Sequence, residues 1–252
     1  MKSVKVFVPY GAVGLNCTEE AFEAGLAMKP DIISSDAGST DSGPYYLGSG
    51  HGKYSIRDVK RDLKRMVLGA DKLGIPMTIG SAGTCGSDEG VDMAYKLICE
   101  ICEEAGIHKK IARIYSQQNA ETLKAKYREG KITAPHGAPE ISEKTFDECS
   151  TIVALLGAEA YEEAFKNGAD IIIGGRSTDT AVMAAYPLMH GCDPASCWHA
   201  AKTVECGGVC TSAGLQGGVF MEIDEKGFTI HSVQPGSTVS AYSVSARSEE
   251  HT

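Results

Sequence analysis

Two segments of the chain share one layout, in which a short apolar run ends in a polar group containing Ser-Thr-Asp. The first segment covers residues 31–42 and the second covers residues 170–180. A short apolar run bounded by turn-forming residues predicts a strand that is buried on both faces. Ligands of open α/β sheets bind beyond the carboxyl ends of such strands. We therefore expect the two polar groups to face one crevice.

Strand and helix patterns alternate along most of the chain, which is typical of α/β proteins. Strands are predicted at residues 4–8, 31–35, 75–79, 110–115, 151–156 and 170–173. Helices are predicted at residues 19–28, 56–73, 88–105, 120–129, 142–148, 159–167, 181–189 and 195–205. This alternation implies right-handed crossovers, a mostly parallel sheet and helices on both of its faces, in a Rossmann-like layering.

The pattern changes near residue 217, so we divide the chain into two regions and a short tail. Residues 1–216 form the predicted α/β domain, and residues 217–246 begin a partial β-rich extension with a predicted hairpin at 219–232. Residues 247–252 read Arg-Ser-Glu-Glu-His-Thr, which matches the translation of a common sequencing-library adapter. We therefore expect this tail to be an artefact and the chain to be truncated.

The charge balance narrows the range of partners. The formal net charge is −9, with 33 acidic and 24 basic residues, which argues against binding to nucleic acid or to an anionic membrane. No apolar run is long enough to span a bilayer and no signal-peptide pattern is present, so we predict a soluble, cytoplasmic protein. The nine cysteines are then expected to be reduced thiols.

The first polar group opens a long, glycine-rich loop, predicted at residues 36–54. Loops of this length within a compact domain are usually functional or disordered. Its hydroxyls, carboxylates and backbone N–H groups suit a polar or anionic ligand, whereas the alternative is a turn whose Asp and Ser side chains bond their own backbone. The candidate binding residues are Asp36, Ser39, Thr40, Ser42 and Tyr45, and Asp41 is a candidate catalytic residue.

The second polar group adds a positive charge. Arg176 is suited to a bidentate pair with a carboxylate or a phosphate, and Asp179 would either orient it or cap the following helix. The alternative is a helix cap beside a surface arginine. Ser177 and Thr178 complete the candidate binding residues of this group, and Asp179 is a second candidate catalytic residue.

A glycine-rich turn at residues 80–86 leaves a predicted strand and enters a helix, as phosphate-binding turns do. Gly80, Gly83 and Gly86 are therefore candidate cofactor-binding positions. The turn lacks the Gly-Lys-Ser/Thr of a P-loop and the G-x-G-x-x-G fingerprint, so the cofactor stays unassigned.

Helical spacing places His199, Lys202 and Cys206 on one face of a predicted helix, with Glu205 beside them. His199 is therefore a candidate general base with a carboxylate nearby. A packed or solvated histidine accounts for the same spacing.

Three longer motifs, at residues 36–48, 174–181 and 199–208, resemble those of the acyclic terpene utilisation (AtuA) family, in particular its N-terminal domain. The likeness extends from Val4 to about Tyr242. It implies a part in the bacterial breakdown of acyclic terpenes such as citronellol and geraniol, which proceeds through carboxylates and acyl-CoA thioesters. The resemblance supplies no catalytic residue.

The residues and the resemblance together suggest a catabolic enzyme component that acts on a carboxylate or an acyl-CoA by hydration, elimination or isomerisation. Arg176 and the two polar loops would bind the anionic end, and Asp41, Asp179 or His199 would transfer a proton. One alternative is a non-catalytic subunit that needs a partner chain, and self-association is equally open.

Two further alternatives give the candidate acidic residues other roles. In a nicotinamide enzyme, Asp36 would bond a ribose, although the first turn, at residues 11–14, lacks the third glycine. In a hard-cation site, Asp36, Asp41 and Asp179 would supply the oxygen ligands.

Overall fold

The computed structural model describes residues 3–38 and 42–249, and seven strands in these ranges form one sheet. Their order across the sheet is β4-β5-β3-β2-β1-β6-β7. The first five strands in chain order are parallel, whereas β6 and β7 are antiparallel to their neighbours. The strands are β1 (Val4–Val8), β2 (Ile32–Asp36), β3 (Met77–Gly80), β4 (Ile111–Ile114), β5 (Ile171–Gly174), β6 (Val219–Ile223) and β7 (Phe228–Ser232).

Ten α-helices of the described residues accompany the sheet, and several begin at a side-chain cap. The hydroxyls of Thr18, Ser55 and Ser87 each accept a hydrogen bond from the backbone N–H three residues on, which satisfies a donor that the helix leaves open. The helices are α1 (Glu19–Ala27), α2 (Tyr45–Ser49), α3 (Ile56–Leu73), α4 (Asp88–Ala105), α5 (Ala120–Arg128), α6 (Glu143–Glu148), α7 (Ala158–Lys166), α8 (Ala181–Met189), α9 (Pro194–Val204) and α10 (Ala241–Glu249).

Two apolar cores lie on opposite faces of the sheet. Helices α1, α3 and α4 pack on the first face, where Phe22, Leu63 and Ile98 are buried. Helices α7, α8 and α9 pack on the second face, around Tyr161 and Val182. The predicted α/β class, with a mostly parallel sheet covered on both faces, is therefore confirmed.

The crossovers reverse direction between two adjacent strands. The chain leaves β3 towards α4 on the first face and leaves β5 towards α8 on the second face, although β3 and β5 pair directly. Loops that diverge in this way open a crevice at the carboxyl ends of the strands. The fold thus places the loops after β3 and β5, and the loop after the neighbouring β2, around one point.

One predicted strand is wrong. Residues 151–156 make isolated bridges, Gln117 with Val153 and Leu156 with Ser177, instead of joining the sheet. Their partners lie in the loops that follow β4 and β5, so the segment passes beyond the strand ends. Its apolar residues are only partly buried there, and Leu155 is 60% exposed.

The predicted hairpin forms and continues the main sheet. Strand β6 pairs with β1 along its whole length, from Val219 opposite Val8 to Ile223 opposite Val4. Two helices were not predicted from the sequence: α2 interrupts the long polar loop, and α10 follows the hairpin. Arg247, the first residue of the predicted tail, lies in α10 and donates to Cys206 Sγ at 3.2 Å.

Two further expectations concern the cysteines and the presence of membrane-spanning helices. All nine cysteines are free thiols. No helix within residues 3–38 and 42–249 has the length and apolar character that crossing a bilayer requires.

Replacement of Gly90 by alanine tests the contact between α4 and the loop after β3. A Cβ at Gly90 would lie 2.3 Å from the carbonyl oxygen of Ala82. Alanine normally favours a helix over glycine by about 1 kcal/mol. Here we expect overpacking to lower the free energy of unfolding by about 1–3 kcal/mol, measured by urea denaturation.

Gly227→Ala is the matched control, because no heavy atom lies within 4 Å of a Cβ at that turn position. We expect it to change the free energy of unfolding by less than about 0.5 kcal/mol. Equal effects of the two substitutions would contradict the packing account.

Candidate functional site

Backbone hydrogen bonds join the loops after β3 and β5 into one floor. The N–H groups of Ser81 and Ala82 donate to the carbonyls of Gly175 and Gly174 at 2.9 and 3.0 Å. In return, the N–H of Arg176 donates to Gly86 at 3.0 Å. The two loops therefore hold Arg176 at the carboxyl ends of the central strands.

Arg176 is buried, and the protein orients its guanidinium. Nη1 donates to the carbonyl of Gly38 at 2.9 Å, and Nη2 donates to the carbonyl of Ser177 at 2.9 Å and to Asp179 Oδ1 at 2.6 Å. Nε is also buried, and no residue of the described chain accepts its hydrogen bond. Of the two roles predicted for Asp179, the structure shows the orienting one. Thr180, and not Asp179, is the N-cap residue of α8.

Asp36 lies behind this arginine and not in front of it. The carboxyl group is 1% exposed, and its Oδ2 accepts from the N–H of Gly38 at 3.1 Å. Burial raises the pKa of Asp36 well above its usual range, and the charge of Asp179 raises it further, while Arg176 acts in the opposite direction. A carboxyl group so enclosed supports the site from below, and these contacts give no support to its predicted role in direct binding.

Tyr161 is a buried member of the site that the sequence analysis missed. Its hydroxyl lies 2.6 Å from Ser177 Oγ, and Ser177 Oγ in turn donates to the carbonyl of Gly175 at 2.9 Å. Burial raises the pKa of Tyr161, so the phenol keeps its proton and donates to Ser177. Tyr161 occupies an apolar helical position, and only its phenol oxygen hinted at a polar role.

Ser177 and Thr178 fix the loop after β5. Ser177 is fully buried, and the N–H of Thr178 donates to the carbonyl of Leu156 at 3.1 Å. Their predicted place beside Arg176 is observed, and their hydrogen bonds are made to other groups of the protein.

A pocket of about 220 Å³ opens in front of Arg176. Its walls come from α2 and the residues before it, and from the loop after β3. Most of the lining is apolar or uncharged, and Arg176 supplies its charged side chain. We call this space the Arg176 pocket; it is lined by Ser42, Gly43, Pro44, Tyr46, Leu47, Thr84, Cys85 and Arg176.

Two residues of the first loop lie at the edge of the Arg176 pocket. Ser42 Oγ accepts a hydrogen bond from Lys53 Nζ at 3.2 Å, which brings a second positive charge to the rim. Tyr45 is 66% exposed and packs edge to face on Tyr46, with 5.3 Å between the ring centres. Ser39, Thr40 and Asp41 lie outside the described residues.

A larger cavity, of about 490 Å³, lies at the other end of α4 and is lined by Cys99, Cys102 and His108 among others. We assign the site to the smaller Arg176 pocket, because it lies beyond the carboxyl ends of the strands and contains a buried charge.

The three candidate glycines are explained by packing within the protein. A Cβ at Gly80 would lie 2.2 Å from Val182 Cγ2, one at Gly83 would lie 2.7 Å from the Cα of Gly90, and one at Gly86 would lie 2.2 Å from the nitrogen of Arg176. The N–H of Gly86 also donates within the turn, to the carbonyl of Ala82 at 3.1 Å. The turn thus closes the floor of the site, and a role of its glycines in cofactor binding stays a prediction.

The same turn contains backbone strain. Thr84, a β-branched residue, has a φ of 75°, a left-handed conformation that costs about 1–3 kcal/mol and concentrates at functional sites. Thr84 Oγ1 accepts from the N–H of Lys53 at 2.9 Å, which ties the turn to the loop after β2.

His199 is not brought to the site. It is exposed on α9, and its ring meets that of Phe228 edge-on at 4.9 Å. Phe228 pairs with Ile223, which pairs with Val4 at the amino end of β1, so His199 lies at the end of the sheet opposite to Arg176.

Glu205, predicted to lie near His199, instead pairs with Lys202. Burial raises the pKa of Glu205, and the charge of Asp179 contributes in the same direction. Glu205, at the carboxyl end of α9, therefore lies on the same side of the sheet ends as Asp179.

The described residues give no support to two of the alternatives. Asp36 is enclosed and bonded to Gly38, so it does not offer its carboxylate to a ribose. Within residues 3–38 and 42–249, no three His, Cys, Asp or Glu side chains converge as metal ligands.

These features define a class: an α/β protein with a Rossmann-like layered sheet and a pocket with one buried arginine at its topological switch point. Residues 59–241, well over half of the chain, match the family model described as acyclic terpene utilisation family protein AtuA. The chain belongs to this family. The motifs at 174–181 and 199–208 lie inside the matched range, and the motif at 36–48 precedes it. Searches of curated proteins and of solved structures gave no match.

Replacement of Tyr161 by phenylalanine tests the hydroxyl pair beneath the loop after β5. The change removes the donor to Ser177 Oγ, and we expect the free energy of unfolding to fall by about 1 kcal/mol. Tyr45→Phe is the control, since the Tyr45 side chain is exposed, and it should have no measurable effect. A Tyr161→Phe protein as stable as the unmodified chain would show that the pair contributes nothing.

Proposed function

We propose that this family member is a catabolic enzyme component that binds a carboxylate or an acyl-CoA in the Arg176 pocket and catalyses a hydration, elimination or isomerisation step on it. One observation carries the proposal: a buried guanidinium, fixed on three sides, faces a largely apolar pocket at the switch point of the sheet.

The guanidinium is preorganised to bind an anion. Asp179 and the carbonyls of Gly38 and Ser177 hold Nη1 and Nη2 in place, whereas Nε has no acceptor within the described chain. A buried donor without a partner carries a desolvation cost that a ligand oxygen would remove. Charge-assisted bonds from arginine to carboxylates are among the stronger hydrogen bonds in proteins. A carboxylate or a polarised thioester carbonyl is therefore the favoured group at this position.

The remaining walls suit a short hydrocarbon. Pro44, Tyr46 and Leu47 supply apolar lining to the pocket that Arg176 also lines. With a volume of about 220 Å³, and at roughly 30 Å³ for each water-sized group, the pocket holds about seven heavy atoms. That matches a short branched acid, or the reacting end of an acyl-CoA whose nucleotide remains outside near Lys53.

Asp179 is the residue that we assign to proton transfer. Its Oδ1 is bonded to Arg176, so a ligand held by the same guanidinium would lie within reach of this carboxylate. Proton transfer by a positioned carboxylate contributes about 10²–10⁴-fold to a rate. Asp41 keeps its candidate role through its place next to Ser42 in the sequence.

One observation favours the alternative of a non-catalytic binding subunit. Of the three residues proposed to transfer a proton, His199 lies at the far end of the sheet and Asp179 is committed to Arg176. A chain that binds the acid with unchanged affinity but shows no turnover until a second chain is added would identify a subunit.

Replacement of Arg176 by glutamine tests the proposal. We expect the affinity for isovalerate, measured by calorimetry, to fall about 10- to 100-fold, because a charge-assisted hydrogen bond contributes about 1.5–3 kcal/mol. Arg128→Gln is the matched control, since Arg128 pairs with Glu143 on the surface of α5 and should leave binding unchanged.

The far-ultraviolet circular dichroism and the ligand-free melting temperature of each variant show whether it is folded. If a folded Arg176→Gln protein binds isovalerate and its coenzyme A thioester as tightly as the unmodified chain, the Arg176 pocket is not the anion site.

A further inference from the structure

Asp36 and Arg176 are connected through a single residue. The N–H of Gly38 donates to Asp36 Oδ2 at 3.1 Å, and the carbonyl of Gly38 accepts from Arg176 Nη1 at 2.9 Å. A Cβ at Gly38 would lie 2.1 Å from the carbonyl oxygen of Thr84, so the connecting peptide is clamped between the carboxyl group and the loop after β3. The protonation state of Asp36 can therefore affect the guanidinium of Arg176 through the backbone of Gly38, which is held in place on both sides.

The second oxygen of Asp36 is buried without a hydrogen bond. No described residue donates to Oδ1, and a Cβ built on the neighbouring Gly80 would lie only 3.1 Å from it. An ionised oxygen in such a position is costly, because it is buried and no described residue donates to it. A protonated Oδ1 leaves one unbonded hydroxyl instead, which is the smaller cost.

The charges around Asp36 can be counted from the elements that face it. Arg176 and Asp179 face it from the loop after β5, Tyr161 from α7, and Tyr54 from the end of the first loop. Burial raises the pKa of both tyrosines, so both are neutral. Among the described residues that face Asp36, the charges of the Arg176–Asp179 ion pair balance, so the protonation of Asp36 sets the net charge of this described group.

We propose that Asp36 is a positioning residue that holds a proton whenever the Arg176 pocket binds an anion. Binding of the anion is then coupled to binding of a proton at Asp36. With Asp36 neutral, the incoming carboxylate meets a balanced ion pair. With Asp36 ionised, the same carboxylate meets a net negative charge behind the arginine. The inference rests on the proposed function, because it concerns the same pocket.

The coupling has a defined sign. An anion in the Arg176 pocket takes up part of the positive field of the guanidinium and so raises the proton affinity of Asp36. By linkage, protonation of Asp36 raises the affinity for the anion by the same factor. Binding should therefore weaken as the pH rises through the titration of Asp36, by up to tenfold for each pH unit.

Replacement of Asp36 by asparagine separates the proton from the side chain. The amide copies the shape of the neutral acid, and its oxygen can still accept from Gly38. We would titrate isovalerate into each protein by calorimetry from about pH 6 to about pH 9, where the ligand stays ionised, in two buffers that differ in ionisation enthalpy. We expect the unmodified chain to bind more weakly at higher pH and to take up protons on binding.

The Asp36→Asn protein should bind with one affinity throughout and take up no protons. Asp92→Asn is the control: Asp92 is a surface carboxylate bonded to Arg113 and Tyr115, and its loss should leave the pH dependence intact. An unchanged pH dependence in Asp36→Asn would overturn the proposal.

The unmodified chain alone provides a second test, which holds even if Asp36→Asn fails to fold. Binding without proton uptake in either buffer would overturn the role of Asp36 and leave the anion pocket standing. Absence of isovalerate binding at every pH would instead count against the proposed function itself.

Discussion

The guanidinium of Arg176 is the interaction on which the site depends. The guanidinium donates to Gly38 in the loop after β2 and to Ser177 and Asp179 in the loop after β5. The backbone N–H of Arg176 donates to Gly86 in the loop after β3. A buried charge is tolerated only where its partners are well placed, and removal of one partner leaves the other uncompensated. The three loops are thus ordered around one cation, and the charge that anchors them is also the charge that faces the pocket.

The topology explains why these loops meet. Strands β1, β2 and β3 are laid down in order with their helices on one face, and the chain then crosses to β4 before returning to insert β5. The insertion makes β3 and β5 neighbours whose following helices lie on opposite faces. A parallel sheet supplies its strand ends to a ligand at such a point. Glycines at the ends of β3 and β5 let Val182 and Tyr161 approach the backbone, so the floor beneath the arginine is closed by side chains of α7 and α8.

The sequence predicted the layers well because periodicity and burial are local properties of a segment. The pairing of Arg176 with Asp179 was also within reach, since the two residues lie three positions apart in one loop. Other features depend on distant contacts. Helical spacing placed His199 on a face but could not tell which end of the sheet that part of α9 would meet. Residues 151–156 have the composition of a strand, yet they bridge the loops that follow β4 and β5 instead of joining the sheet. The enclosure of Asp36 follows from Gly38 and Gly80, whose packing partners no spacing rule reveals.

A crystal structure of the chain grown with isovalerate would locate the carboxylate relative to Arg176 and so show whether the Arg176 pocket is the anion site. We predict an oxygen of the ligand within hydrogen-bonding distance of the Arg176 guanidinium, with its hydrocarbon against Tyr46 and Leu47 and with Asp36 still enclosed behind Gly38. A carboxylate bound elsewhere, for example in the larger cavity beside Cys99, would contradict this prediction.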